Sequence, residues 1–562
     1  MSLASYPFRL ASAALLLAAM LLSAERSMAQ SASQLETEAD RFLKQQQMQR
    51  EREELQRQKA IMIEPEIEEQ ESFSDKICFT IESVSFEGVS VVQLSDLQTL
   101  SEDMIGQCVG QSRIGNLLQL INTLYMERGY ITTRAYLPEQ NLSRGKLLIK
   151  VMEGRVEQVK LNENSNADRR RLWTALPGTR EGSVLNMRNL EQAVDQLDLP
   201  ASVKSQVKLW PGDEVGTSIV EISTQEKDRL RLNVSTDNDG QEGTGKQRLT
   251  LGMGLDNLLS LNETINVNYI GSRDTNALIF QMSMPFRRFN LSYTRSYSEY
   301  LSVLSEFSEL FGQSDSTYLN LDYMAFRNAK HKLSVKTGLS LRESLRYIND
   351  VELSPQKLSV ASLGLEHRYV GERSRWLSSL HYRRGLDAFD ASKDVPDLLE
   401  IAPHAQFSKF DATVHFSRSL GESFFLQSLL SAQYSMDSLY GSEQVHLGGL
   451  GTIRGFVGQP FSGDHGAYLR NDISWPVGSR KLSDWIPLVD FSLAGFIDLG
   501  YSKSKAENIY GRHEESLSGA GISINAFYGD SRLALTLAAP IHASQRRVKD
   551  DYQMSVSVNL NF

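Results

Sequence analysis

Arg454 stands in the Gly-rich stretch Gly448-Gly-Leu-Gly-Thr-Ile-Arg-Gly-Phe456, and Asp498 in the alternating segment Phe491-Ser-Leu-Ala-Gly-Phe-Ile-Asp-Leu-Gly-Tyr501. A guanidinium presents its N–H groups as a planar fork that fits both oxygens of a carboxylate, so these two types can form a bidentate ionic hydrogen bond. Period two puts Phe491, Leu493, Gly495, Ile497, Leu499 and Tyr501 on one face of that segment and Asp498 on the other. A carboxylate on the inner face of a closed sheet needs a partner. The expectation is that the loop over residues 440–466 folds inward and that Arg454 pairs with Asp498; the competing outcome is an Arg left in solvent.

Other chemistry is scarce. The chain contains no Gly-x-Ser-x-Gly, His-Glu-x-x-His, phosphate-cradling Walker loop or paired Cys-x-x-Cys. His446 and His465 share one loop region without ligand spacing and read as solvated residues, so no metal, cofactor or catalytic activity is expected. Cys78 and Cys108 are the two cysteines. Compartment decides how they read: in an oxidising space they bridge, and the alternative is two buried thiols.

The N-terminus speaks to compartment. Arg9 precedes an apolar run over residues 10–22, and Ser27, Met28 and Ala29 supply small residues before Gln30. That is the pattern of a secretory signal peptide, here residues 1–29, with a core too short for a membrane anchor. Residues 30–60 follow as a helix former almost free of Gly, Pro and β-branched residues, with Asp40/Lys44 and Glu53/Arg57 as i,i+4 pairs. Leu35, Phe42, Leu43 and Leu55 make no continuous stripe, so this helix sits in water or in a polar channel. At 1.5 Å per residue its run from Gln34 to about Ala60 is about 40 Å long, enough to cross a membrane through a hydrated bore. Residues 61–75 are acidic and broken at Pro65, a linker.

Two small α/β units come next, over residues 76–153 and 154–226. In the first, a strand over residues 79–86, a helix over 114–127 closed by Gly129, and strands over 130–137 and 147–152 are expected. In the second, a helix is expected over 187–197 and strands near 204–210 and 218–223. From residue 227 to 562 short alternating segments recur, separated by turns rich in Gly, Asn, Asp and Ser. About sixteen strands of this kind predict a transmembrane β-barrel, which must close because no open sheet edge survives in lipid. The last segment, Tyr552-Gln-Met-Ser-Val-Ser-Val-Asn-Leu-Asn-Phe562, is apolar on one face and polar on the other, with an aromatic at each end. Net charge of −10 argues against nucleic acid as a partner. A mean hydropathy of −0.31 excludes a bundle of membrane helices.

Ile453-Arg454-Gly455-Phe456 resembles the Val-Arg-Gly-Tyr/Phe signature of two-partner-secretion outer-membrane transporters, the TpsB or ShlB/FhaC/HecB family. Phe496-Ile-Asp-Leu-Gly500 is similar to that family's Phe-x-Asp-x-Gly strand motif. Gly129-Tyr-Ile-Thr-Thr-Arg-Ala-Tyr-Leu-Pro-Glu-Gln-Asn-Leu142, followed by Val151-Met-Glu-Gly154, resembles the end of its first POTRA domain. The resemblance implies an α+β pair of periplasmic POTRA domains, a sixteen-stranded barrel in the outer membrane, and an N-terminal plug helix. It implies export of a large partner exoprotein, an adhesin, haemolysin or contact-dependent inhibition toxin, from periplasm to cell surface. Under it Arg454, Gly455, Phe456 and Asp498 form a latch between loop and wall, and Cys78 and Cys108 match members with a paired first POTRA domain. Tyr130, Arg134 and Tyr136 fall in the region that meets the unfolded partner, and Phe562 is the signal read by the barrel-assembly machinery. The alternatives are a barrel-assembly insertase of the wider superfamily and a passive porin; two POTRA units behind a leading helix favour the secretion branch.

Overall fold

The computed structural model describes residues 38–57, 77–162, 165–241, 243–305, 307–456, 461–481, 488–505, 514–544 and 552–562. The expected signal peptide and linker lie outside the described residues. Within the expected leading helix, Glu38–Arg57 is helical.

In the first α/β unit the helix Gln111–Glu127 lays Ile114, Leu117, Ile121 and Tyr125 against a three-stranded sheet. The central strand Lys146–Met152 alternates, sending Leu147, Ile149 and Val151 into the core. It pairs in parallel with Ser83–Glu87 and antiparallel with Arg134–Tyr136. The strand expected over 79–86 is in fact two. Cys78–Thr80 pairs with Cys108–Gly110, then the chain changes partner: the Ile81 N–H donates to Gln107 O at 3.1 Å, and the Glu82 and Ser83 N–H groups donate to Gly145 O. That first pairing sets Thr80 opposite Cys108 and brings Cys78 into a disulfide with Cys108, Cα to Cα 5.3 Å. The strand expected over 130–137 shrinks to Arg134–Tyr136, because the Tyr130 N–H is already spent on Tyr125 O at 2.9 Å in closing the helix.

The second unit matches its expected helix, Met187–Leu197, and places the strands at Val203–Pro211 and Thr217–Glu226 beside Arg155–Leu161. Its other helix, Asn166–Ala175, was not expected. Ser165 accepts from the Asp168 N–H and Asp168 accepts from the Ser165 N–H, a reciprocal cap that the Ser-x-x-Asp spacing encodes.

Sixteen strands, from Leu230–Asp237 to Gln553–Asn561, each pair antiparallel with their neighbours, and the last pairs with the first through Ser557↔Asp237 to Asn561↔Asn233. The sheet closes. Along Val489–Lys503, Leu493, Ile497, Leu499 and Tyr501 are exposed on the outside while Ala494, Phe496, Asp498 and Ser502 are buried inside, as period two requires. No helix among the described residues is long and apolar enough to cross a membrane; here the strands do the crossing.

The second unit is tied to the near mouth of the barrel. Asp195 is ion-paired with Arg327, with Lys332 at 3.2 Å and with Arg368 at 3.3 Å. Burial alone would push its carboxyl up, but Lys332, Arg327 and Arg368 outweigh it and hold the group well below the ordinary carboxylate range. Arg171 Nε donates to Asn262 Oδ1 at 3.1 Å, and Asn262 Nδ2 donates back to Arg171 O at 2.9 Å. Asp256, with no exposed surface, accepts from the Ser202 N–H at 3.0 Å.

The disulfide closes a loop of 30 residues, worth about 3–4 kcal/mol in the chain-entropy account. Non-reducing peptide mapping of the mature protein recovers Cys78 linked to Cys108; two alkylatable thiols would contradict the assignment.

Candidate functional site

Between the barrel strands Phe424–Ser435 and His465–Arg480 the loop turns inward, and Val445–Leu447 pairs with Phe461–Gly463 as a short hairpin. Its apolar side (Leu447, Ile453, Phe456 and Phe461) packs with Tyr468 and Leu517 of the wall. That packing carries Arg454 to the wall's inner surface, where it is buried beside a fully buried Asp498. Arg454 Nε donates to Asp498 Oδ2 at 2.6 Å and Nη2 to Oδ1 at 2.7 Å, a two-pronged contact. Its own backbone N–H adds a third bond to Asp498 Oδ2 at 3.1 Å. Nη1 donates to Asp472 Oδ1 at 2.7 Å, and the guanidinium lies over the Phe496 ring, 3.5 Å from its centroid.

Phe496, Asp498 and Gly500 share the inward face of one strand, and each has a separate task. Phe496 supports the guanidinium plane and Asp498 receives it. A Cβ on Gly500 would stand 2.9 Å from Ile453 Cδ1, so glycine leaves the space that Ile453 fills. Gly455 has φ +100°, and a Cβ there would meet the Ala539 carbonyl at 2.8 Å; its N–H donates to Gln553 Oε1 at 2.8 Å. The spacing Phe-x-Asp-x-Gly is therefore three consecutive inward positions of a strand.

The helix Glu38–Arg57 occupies the bore. Near its start, Ala39, Phe42 and Leu43 pack on Ile270, Ala277 and Ile279. Beside them Arg342 Nη2 reaches Asp40 Oδ1 at 2.7 Å, and the Tyr318 hydroxyl donates to the same oxygen at 3.3 Å. Three turns on, Glu51 Oε2 lies 2.7 Å from His415 Nε2. The Tyr468 hydroxyl donates to Met48 Sδ at 3.5 Å. Around and between helix and loop remains a cavity of about 1220 Å³, lined by groups such as Gln45, Asn266, Ser292, Asn320, Ser362 and Thr413. A helix polar on most sides is stable there because the bore is wet.

The structure brings together Arg454, Gly455, Phe456 and Asp498, and sets Cys78, Cys108 and the Tyr130–Tyr136 stretch in the first α/β unit. Arg134–Tyr136 is an edge strand; Tyr136 is exposed, and Arg134 turns back onto the Ile131 and Thr133 carbonyls at 2.8 Å. Tyr130 is half-buried against Tyr125. Phe562 is exposed, and its N–H and carbonyl bond Leu232 at 2.9 and 3.1 Å across the closing seam. One reading is corrected: His446 is no solvated loop residue. Its Nδ1 is 2.8 Å from Ser462 Oγ and its Nε2 3.0 Å from Gly441 O, so it ties the hairpin to its base. His465 Nδ1 likewise accepts from the Ser435 N–H at 3.3 Å. Sequence reasoning missed Asp472, which shares the inward face of its strand with Tyr468 and Arg470 and was open to the same period-two count. It also missed Arg342, Tyr318 and His415, whose partners lie on the helix. Among the described residues no group of side chains could hold a metal ion.

A closed barrel with an apolar exterior, a polar bore stopped by a helix and a clasped loop, and two α/β units at one mouth defines an outer-membrane transporter. The family model for the haemolysin secretion/activation protein ShlB/FhaC/HecB matches residues 216–526. A ShlB-type POTRA domain matches residues 79–154, and a second POTRA domain residues 155–211. The outer membrane transporter CdiB of Dickeya dadantii is 33% identical over 413 residues, 71% of this chain and 72% of its own. The hemolysin transporter protein HpmB of Proteus mirabilis is 27% identical, over 86% of this chain and 87% of its own. The solved structure of CdiB from Escherichia coli superposes with a TM-score of 0.84 at 29% identity, covering 93% of this chain and 99% of that one. The chain belongs to the ShlB/FhaC/HecB family of two-partner secretion transporters, and its place is the outer membrane, with the POTRA domains in the periplasm.

Removing one partner of a buried ion pair costs about 3–5 kcal/mol, because the charge left behind has no solvent. Arg454→Ala strands Asp498 and Asp472 together. The variant barrel still inserts and keeps its heat-modifiable gel mobility, but the 436–464 loop becomes cleavable by external protease. Arg454→Lys, which cannot span both carboxylates, gives an intermediate loop. A loop as resistant in Arg454→Ala as in the parent protein would contradict the clasp.

Proposed function

We propose that this chain exports one large exoprotein as an extended polypeptide through the bore, with the helix Glu38–Arg57 as a plug that leaves before the substrate enters. The observation that carries the reading is the kind of contact that holds the helix. Among the described residues these are mostly single polar contacts, Asp40 with Arg342 and Tyr318, Arg41 with the Asp239 carbonyl, Glu51 with His415 and Met48 with Tyr468, beside one small apolar cluster at its start. Water can hydrate each of these polar groups as the helix withdraws, whereas a large apolar interface would resist removal.

Dimensions agree. A helix with its side chains is about 10–12 Å across, and an extended strand about 5 by 10 Å. Withdrawal of the helix alone clears a path, and the loop held by Arg454 can stay docked as a fixed part of the wall. Arg454, Gly455, Phe456 and Asp498 are thus the latch that keeps the loop from obstructing or leaving the bore.

The substrate is met first in the periplasm. Arg134–Tyr136 is a sheet edge whose Ala135 N–H is held by Asn122 Oδ1 at 2.8 Å, so it is the exposed Tyr136 beside it, more than a free main-chain edge, that is offered to an extended segment. Tyr130, Arg134 and Tyr136 are assigned to that recognition. Transport needs no catalytic residue, cofactor or nucleotide; folding of the exoprotein outside supplies the drive. Phe562, at the end of the closing strand, is the residue presented to the barrel-assembly machinery, and the barrel's outer face is solvated by lipid.

Deleting residues 38–57 raises single-channel conductance of the reconstituted protein several-fold, and Arg342→Gln gives frequent openings to the same level. Conductance unchanged by the deletion removes the plug.

A further inference from the structure

The helix Asn166–Ala175 of the second POTRA domain has two unlike faces. Arg171, Leu172, Thr174 and Ala175 are buried, and Arg171 and Thr174 bond Asn262 of the barrel's first near-mouth turn. Trp173 follows Arg169 by four residues and Arg170 by three, so the three share the opposite face, and all are exposed. Trp173 is 56% exposed, yet its ring sits edge-on against Phe286, centroids 5.0 Å apart.

Phe286 ends a barrel strand, Thr275–Phe286, whose outward positions include the exposed Leu278 and Phe280. It opens a band of aromatic residues around the near mouth: Phe289 opposite it in the neighbouring strand, then Tyr323 with its ring 4.9 Å from Phe289. A POTRA tryptophan therefore extends the barrel's interfacial aromatic belt, at the depth where indoles sit among headgroups. Its indole N–H has no acceptor among the described residues.

Charge gathers at the same place. Arg287 and Arg288 form the turn after Phe286, and the Arg287 guanidinium lies 5.2 Å from the Phe286 ring centroid. Among the described residues no carboxylate pairs with Arg169, Arg170, Arg287 or Arg288, in a chain whose net charge is −10. Arg171 is the contrast: it is ion-paired with Glu226 and faces inward. Uncompensated guanidinium groups beside an exposed indole at membrane depth suit phosphate-bearing headgroups below an acyl layer.

We propose that the outer face of the helix Asn166–Ala175, with the turn at Arg287 and Arg288, binds anionic phospholipid of the periplasmic leaflet. The contact holds the second POTRA domain against the membrane as well as against the barrel, and so fixes the direction in which a captured segment is handed to the bore.

The test uses the full chain, delipidated in neutral detergent and titrated with phosphatidylglycerol or with phosphatidylcholine of the same acyl chains, with bound lipid counted by native mass spectrometry. The parent protein retains phosphatidylglycerol saturably and in preference to phosphatidylcholine. Arg169→Gln with Arg170→Gln weakens that retention about tenfold or more, and Trp173→Ala weakens retention of both lipids. Heat-modifiable gel mobility verifies that each variant is folded, and all three side chains are exposed, so their loss leaves the core intact. Equal uptake of the two lipids, or undiminished phosphatidylglycerol in the double variant, overturns the proposal. So does full competition by glycerol phosphate with Trp173 dispensable, which would mean a free-phosphate site. A double variant that keeps its lipid but no longer captures an acidic polypeptide would assign the face to the exoprotein instead.

Discussion

In hydrocarbon a main-chain N–H or carbonyl without a partner costs several kcal/mol, and a sheet that crosses a membrane must therefore have no edge. That constraint makes the last strand pair with the first, from Ser557↔Asp237 to Asn561↔Asn233. Closure fixes the rest by geometry. Every second side chain must face lipid and be apolar, every other one must face the bore, and sixteen strands make a bore too wide for side chains to fill. An open aqueous hole in an outer membrane is the consequence, and both the helix and the inward loop answer it.

The two answers are held differently, and the difference follows from how many bonds converge on each contact. Arg454 is enclosed on every side by Asp498, Asp472 and the Phe496 ring. Such a pair gains little when formed but is costly to break, so it acts as a fixture. Asp40 is also buried and Glu51 nearly so, but each lines the cavity and meets its wall partner without a two-pronged clasp, so under the proposed export the helix is the part that leaves. One chain thus places a firmly clasped fitting and a more lightly held one in the same lumen by how many bonds close each contact.

Much of this was legible in the residues because β periodicity is a local property. Counting by two along the strand Val489–Lys503 sends Asp498 inward, and the same count explains why Phe496 and Gly500 flank it. Cys78 and Cys108 were readable from compartment. What escaped depended on distant partners. The segment over 79–86 alternates continuously, yet two different neighbours claim its halves, and nothing within it marks the change at Ile81 and Glu82. The helix Glu38–Arg57 reads as helix from its composition, but its position in the bore depends on Arg342, 302 residues from Asp40. His446 looked solvated because its acceptor and donor, Gly441 and Ser462, meet only after the loop has folded. The cap at Ser165 and Asp168 was a local signal and could have been found.

The central claim is that the helix sits in the bore at rest and must leave for export. Ala39 packs in one cluster with Ala277 of the wall, so Ala39→Cys with Ala277→Cys offers a covalent lock. Oxidation in intact outer membranes should join the pair in most molecules and stop export of the partner exoprotein, and reductant should restore it, with the parent protein exporting under both conditions. Export that proceeds at the parent rate with the lock closed would contradict the account.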